Sequence, residues 1–361
     1  MINIIHIVED YSFLSGGLRT VVNDLHTKLI KNGLNSTIIT TRKEKNDNAV
    51  KVKGGNLPWR FSSNLKEILK EMNLKKDINI IHIHGVWMYP QYFSAKFAIN
   101  NNIPFLISCH GMYETWLWSN SSFKKKAYFK YVVKDVFSKA NFLHAITEPE
   151  ADELKKLFPK TAVKVIPNLI DSLPKIDDTK LNFKNKYILF LGRIDKKKGI
   201  DLLIKSFANI KNKNFNLKIA GAFNNYKEEL EELVKTLNLE DRVNFLGLVT
   251  GEEKQLLFKN SFVFAAPSYS EVIGMVNLEA AIMGVPTITT IQTGIKKEWA
   301  NNGGFLINPN LKEIQTTLEI VTNWSDKERN EKGEMLKNYV EKEYSWKYRF
   351  LDWLNFYKKI V

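Results

Sequence analysis

Two carboxylates and two cations stand where this chain could handle a ligand carrying both phosphates and hydroxyls. Glu271 and Glu279 lie eight residues apart in P-S-Y-S-E-V-I-G-M-V-N-L-E-A, residues 267–280. An apolar run at 261–266 reads as a buried strand stopped by Pro267, and helical spacing begins at Met275. Strand, tight loop and helix start together present free backbone N–H groups and a positive dipole end to an anion. Arg193 and Lys198 sit in G-R-I-D-K-K-K-G, residues 192–199, after another apolar run. There an arginine fork and a mobile lysine charge suit a diphosphate, although a plain basic surface loop has the same composition. Acidic side chains beside an anion-binding helix start make sense for a sugar nucleotide. No Asp-x-Asp triplet occurs, so carboxylate-held divalent metal is not expected at the phosphates.

The histidines form a second group. His82 and His84 alternate and so share one face of a strand. A metal would need a third ligand, and no nearby residue in the chain offers one, so no metal is expected. His84 and His110 each fall where a strand gives way to a loop, which places both at a cleft. Cys109 beside His110 resembles a thiol-protease pair only on paper, because neighbours in extended chain point opposite ways. Gly16-Gly17 lies between a first strand and a first helix and admits a close backbone approach to phosphate.

The elements that hold these residues alternate between strands and helices. Strands are predicted at 3–8, 36–40, 77–84, 103–108, 141–145 and 162–166, then at 187–191, 217–220, 243–246, 262–265 and 286–290. Such alternation implies βαβ units and parallel, doubly wound sheets. At 361 residues the chain calls for about two domains. The expected division is 1–168, a linker at 169–186 and a second domain at 187–343. An aromatic tail follows at 344–361, a helix with Trp346, Phe350, Trp353 and Tyr357 on one face.

The composition, 44% hydrophobic and 25% charged, is that of a globular protein. No apolar run reaches the ~18 residues that would span a membrane, and the start reads as a strand and not a secretory leader. One cysteine fits a reducing cytoplasm. The net charge of +14 is uneven. Residues 1–170 hold 24 lysines and arginines against 14 acidic residues, and residues 171–361 hold 29 against 25. A basic first half is compatible with nucleic acid, an anionic membrane, phosphorylated substrates or a solvated lysine-rich surface.

Gly16-Gly17, H-G-V-W, C-H-G-M, G-R-x-D-x-x-K-G, E-x7-E and A-A-I-M-G-V-P-T, in this order over nearly the whole chain, resemble the retaining family 4 glycosyltransferases of the two-domain GT-B fold. The stretch 110–154, with H-G-M-Y-E-T-W, Lys124-Lys125-Lys126 and F-L-H-A-I-T-E-P-E, is similar to the branch that builds bacterial lipopolysaccharide, capsule or exopolysaccharide. The resemblance implies two Rossmann-like domains facing a cleft, an N-terminal acceptor domain and a C-terminal donor domain, with the tail helix crossing back. It implies that Arg193 and Lys198 neutralise the donor pyrophosphate and that Glu271 binds the sugar hydroxyls, near the N–H groups of Ile273, Gly274 and Met275. Glu279 would hold the ribose, Leu248 would lie near the base, Gly16 and Gly17 would close on the diphosphate, and His110 would sit beside the sugar. His84, Trp87, Tyr113 and Trp116 are the acceptor-side candidates.

Two departures bear on the donor. Glu271-Val272-Ile273-Gly274 stands where the family usually has E-G-F-G, and G-A-F-N-N-Y follows the strand at 217–220 where G-x-G-P is common. The expected activity is metal-independent transfer of a hexose from a UDP- or GDP-sugar to a glycan, lipid-linked acceptor, with retention and without a cofactor. Lys124, Lys125, Lys126, Lys130 and Lys134 would form a patch for the anionic inner face of the membrane, making the enzyme cytoplasmic and peripheral. Two other classes compete. A sugar-nucleotide 2-epimerase shares the architecture but uses other acidic and histidine motifs. A nucleic-acid-binding protein would use the charge, but no binding module is recognisable.

Overall fold

The computed structural model describes residues 2–114, 123–171 and 185–361. Two compact units emerge, one of Met1–Leu169 with Arg349–Val361, the other of Ile170–Tyr348. In the first unit a seven-stranded, all-parallel sheet runs β3-β2-β1-β4-β5-β6-β7. Its strands are β1 Asn3–Val8, β2 Asn35–Thr40, β3 Val50–Lys51, β4 Ile80–His84, β5 Phe105–Ser108, β6 Phe142–Ala145 and β7 Val163–Val165. The central strands are apolar on both faces: β4 and β5 are buried throughout. That is what a parallel sheet covered by helices on each side requires.

The second unit has a six-stranded parallel sheet in the order β10-β9-β8-β11-β12-β13. Its strands are β8 Tyr187–Leu191, β9 Asn216–Ala220, β10 Val243–Gly247, β11 Val263–Ala266, β12 Thr287–Thr290 and β13 Phe305–Ile307. In each unit the chain reverses its direction of travel across the sheet beside the first strand, between β1 and β4 and between β8 and β11. Loops at the carboxyl ends of strands diverge at such a switch point and leave a crevice for a ligand. The Gly16-Gly17, His84, Arg193–Lys198 and Glu271 segments all leave those four strands.

The edge strands β3 and β13 are absent from the sequence reading. Each has two or three residues and is held by its register to β2 or β12, not by a periodic apolar run. The linker read at 169–186 lies mostly outside the described residues, and the units divide at Leu169/Ile170.

The tail differs from the expectation. A helix Asp326–Tyr344, started by a Ser325/Glu328 capping box, ends at extended Ser345, and a new helix Trp346–Ile360 follows. Trp346 belongs to the second unit, where its N–H bonds the Ile170 carbonyl at 3.1 Å. The buried stripe on the first unit is Trp353, Phe356, Tyr357 and Ile360, in place of one carrying Trp346 and Phe350. Trp353 packs on His144 at 4.6 Å between ring centroids, and Phe356 meets Phe142 at 5.2 Å. Burial against β4 and β6 selects that face, and a helical wheel drawn on the aromatics alone does not.

Candidate active site

In the second unit, two loops meet at the switch point. The Tyr269 N–H bonds the Lys197 carbonyl at 2.8 Å, and the Glu271 N–H bonds the Gln292 carbonyl at 3.0 Å. Gly199 has φ +66°, and a Cβ there would stand 2.3 Å from the Pro267 carbonyl oxygen. Only glycine allows this approach of the β8 loop to the β11 loop. The result is a contact ion pair between Lys198 and Glu271, whose side chains are 15% and 10% exposed. Arg193, from the same loop, is exposed and has no ion pair among the described residues.

Glu271 also reaches under the start of the helix Met275–Ile282. Its Oε2 lies 2.4 Å from where a Cβ on Gly274 would be, and the Nδ2 of fully buried Asn277 is equally near that point. Asn277 in turn donates to Thr289 Oγ1 at 3.0 Å. The helix thus begins at a residue without a side chain, leaving its first N–H groups available beside a fixed carboxylate. Ile273 and Met275 are half-buried. Glu279, one helical stripe further on, pairs with Lys254 at 2.6 Å. Leu248 is 72% exposed in the loop after β10.

Burial, with Arg193 and Lys197 nearby, lowers the Lys198 ammonium to about 8, against the opposing pull of the Asp195 carboxylate. Below that value Lys198 is a cation able to bind phosphate; above it the charge is lost. Affinity of the free protein for a nucleoside diphosphate is therefore expected to weaken as pH rises through about 8. A Kd series from pH 6.5 to 9.5 tests this, and Lys198→Arg, which stays charged, should flatten it. A flat series for the unaltered protein would remove Lys198 from the phosphate contact.

In the first unit, Gly16 and Gly17 start the helix Gly17–Lys31 and have open space where their side chains would be. His110 is held at φ +51°, a left-handed conformation that costs a non-glycine residue roughly 1–3 kcal/mol. Glu150, which the sequence reading did not single out, supports it. Its carboxylate accepts the Gly111 N–H at 2.6 Å and the Ile146 N–H at 2.7 Å. Burial raises that carboxyl to about 7 against those two bonds. An acid three residues after an N-cap threonine, in T-E-P-E, is the sequence signal that was available. Thr147 caps the helix Glu148–Leu157.

The histidine expectations need correcting. His84 is 1% exposed, so it does not line a surface crevice; it lies behind His110, with Nδ1 3.0 Å from His110 Nε2. A third imidazole does exist, because β1 pairs with β4 in the register His6↔His82. Nitrogens of His6, His82 and His84 lie within 4.8 Å of one another. Their bonds compete with metal ligation, since both nitrogens of His82 and of His84 already have hydrogen-bond partners. Tyr113, expected at the crevice, is 2% exposed and packs among Trp87, Phe129 and Phe158. Trp87 is half-buried, with the Lys125 ammonium 5.4 Å from its ring. Trp116 lies outside the described residues. Buried Cys109 is pushed up well above its usual range by desolvation and is no nucleophile.

Lys124, Lys125, Lys126, Lys130 and Lys134 are all exposed along residues 123–137. Phe123 and Tyr131, 85% and 76% exposed, stand among them. Among the described residues no helix is long and apolar enough to cross a membrane.

Comparison with known proteins bears on both units. The model described as Glycosyltransferase Family 4 matches residues 15–172, and that of Glycosyl transferases group 1 matches residues 173–343. An uncharacterised glycosyltransferase of Haemophilus influenzae is 28% identical over 73% of this chain and 71% of its own. The O-antigen chain mannosyltransferase RfbU of Salmonella typhimurium is 26% identical over 52% of each. An uncharacterised 41.2 kDa protein in the cps region of Klebsiella pneumoniae is 24% identical over 99% of both. Among solved structures, Anabaena Alr3699/HepE in complex with UDP and glucose superposes with a TM-score of 0.75 at 15% identity, covering 96% of each chain. With one family model on each of the two parallel-sheet units that make up a GT-B chain, the chain belongs to the family 4 glycosyltransferases.

Proposed function

We propose that this glycosyltransferase moves a hexose from a UDP- or GDP-sugar to a glycan acceptor, lipid-linked, in the building of a bacterial surface polysaccharide. The observation that carries the reading is the buried Lys198–Glu271 pair beside the helix start at Gly274. A cation suited to phosphate and a carboxylate suited to hydroxyls, beside a helix start, are what a sugar-nucleotide donor calls for. The names of the O-antigen and cps-region relatives support the surface-polysaccharide part. The UDP held by the Anabaena protein supports the donor class.

Breaking the anomeric C–O bond places growing negative charge on the leaving diphosphate. Fixed groups that receive this charge lower the barrier most. Arg193, Lys198 and the N–H groups at Met275 have this role, Glu271 orients the sugar hydroxyls, and Glu279 holds the ribose, exchanging Lys254 for the hydroxyls. These cations take the part that a divalent metal plays elsewhere, so transfer is expected to survive chelation. The product retains the anomeric configuration of the donor.

A thermal-shift screen against UDP- and GDP-sugars tests the donor. A ligand at ~100 times its Kd adds about 2.7 kcal/mol, and no shift with any nucleotide sugar would overturn the reading. Turnover with the stabilising donor, with and without EDTA, and the anomeric coupling of the product then test metal and stereochemistry.

The five exposed lysines, interleaved with Phe123 and Tyr131, suit an anionic bilayer surface, at about 1 kcal/mol for each cation near it. Changing Lys124, Lys125 and Lys126 together to glutamate should abolish sedimentation with phosphatidylglycerol vesicles while leaving turnover on a soluble acceptor. Unchanged vesicle binding would remove the membrane role from this helix.

A further inference from the structure

Five of the six histidines gather behind the carboxyl ends of β1, β4, β5 and β6, in two hydrogen-bonded chains. In one, every proton can be placed. His144 Nε2 faces the Ile166 carbonyl at 2.8 Å and must donate, so its Nδ1 accepts from Ser108 Oγ at 2.7 Å. Ser108 then accepts from His82 Nε2 at 2.6 Å, and His82 Nδ1 accepts from the Tyr357 hydroxyl at 2.7 Å. His82 and His144 therefore carry their protons on Nε2.

The other chain links His6 Nδ1 to His84 Nε2 at 2.9 Å and His84 Nδ1 to His110 Nε2 at 3.0 Å. It has two possible directions, and its buried end decides between them. His6 is fully buried, and its Nε2 has no partner. An N–H stranded there would lose its hydrogen bond to water with no replacement. Stranded donors are the rarer defect in native proteins, and a bare lone pair is the more tolerable. The proton of His6 therefore sits on Nδ1 and points at His84. His84 then holds its proton on Nδ1 and points it at His110, whose Nε2 is thereby occupied as an acceptor. Burial keeps all three rings neutral, so none supplies a second proton.

We infer that His6 and His84 are positioning residues that lock His110 in its Nδ1–H form, so that His110 meets the transferred sugar as a hydrogen-bond donor and not as a base. Of the three residues only His110 is not fully buried, being half-buried at the strand end, and its Nδ1 has no partner among the described residues. Glu150 fixes the turn that aims it. A donor there matches a sugar hydroxyl or ring oxygen, and it leaves the acceptor's proton to the departing diphosphate. This rests on the reading that His110 lines the sugar site.

Nitrogen-15 spectroscopy of histidine-labelled, full-length protein tests it directly. The expected pattern is a pyrrole-type Nδ1 and pyridine-type Nε2 for His6, His84 and His110, and the reverse for His82 and His144. A protonated Nε2 on His110 overturns the inference. In turnover, His84→Phe should lower kcat/KM for the donor sugar by about tenfold to a hundredfold with free nucleoside diphosphate affinity unchanged. His84→Asn, whose amide keeps a donor where Nδ1 was, should recover most of the loss; no difference between the two variants counts against a positioning role. If the nitrogen pattern is found but His110→Ala leaves turnover intact, the tautomer assignment stands and the placing of His110 at the sugar falls. Failure of the nucleotide-sugar screen with the pattern present would instead overturn the proposed donor.

Discussion

Replacing Lys198 with alanine is expected to lower sugar transfer by about 10²–10³-fold, the usual cost of removing one group that receives transition-state charge. The same change should also lower stability. Lys198 and Glu271 are both largely buried and in contact, and removing one partner of such a pair leaves a carboxylate with neither water nor cation, at a cost of about 3–5 kcal/mol. The two effects separate in the double variant Lys198→Ala/Glu271→Ala. Without a stranded charge it should melt closer to the parent than either single variant does, and still transfer no sugar. Calorimetry beside a transfer assay reads both. A double variant less stable than both singles would mean that the pair is not coupled, and the site's electrostatics would need another basis.

The Gly274→Ala variant adds one methyl group and should lower kcat/KM by about a hundredfold, the scale associated with ~1 Å of misplacement at a reacting centre. The backbone at Gly274 has φ −78°, which any residue adopts, so the effect is not one of glycine's backbone freedom. It comes from space. The added carbon would stand 2.4 Å from both Glu271 Oε2 and Asn277 Nδ2, and neither has room to retreat. Asn277 is fully buried and tied to Thr289, and Glu271 is held by Lys198 and by its own N–H to Gln292. The carboxylate therefore moves, and with it the hydroxyls it orients. Melting temperature should fall only modestly. Wild-type turnover in this variant would show that Glu271 does not orient the sugar.

The departure at Val272-Ile273 looks different beside this geometry. Those residues lie in the loop that links the Glu271 carboxylate to the helix start, and Ile273 is half-buried against the core of the second unit. Their N–H groups remain, while the β-branched side chains stiffen the span. Donor preference is therefore expected to follow loop shape more than any new polar contact.

Much of this site was legible in the sequence because its parts are local. Strand, breaker, small residue and helix start follow one another within 267–280, and alternation of apolar runs with helical spacing gave both parallel sheets. What could not be read were relations across the sheet. His6 is 76 residues from His82 along the chain, yet β1 and β4 are adjacent because the crossover passes through β2 and β3 on the other side. Register then sets the two rings side by side. The third imidazole, the Tyr357 hydroxyl and the Glu150 carboxylate all come from that kind of long-range pairing. His84 was misplaced for the related reason that a strand-end position does not say which way a side chain faces, and Tyr113 because a loop position does not show that its ring packs among Trp87, Phe129 and Phe158.

The sequence by itself determined the fold class, the division into two α/β halves and the loop residues that carry charge, since those depend on periodicity and on residue chemistry within a few positions. Tertiary structure alone decided that Lys198 touches Glu271, that Gly274 is small for the sake of a carboxylate, and that five histidines gather in two hydrogen-bonded chains. Each of those follows from which strands are neighbours and how closely two loops approach, and neither quantity is written in local spacing.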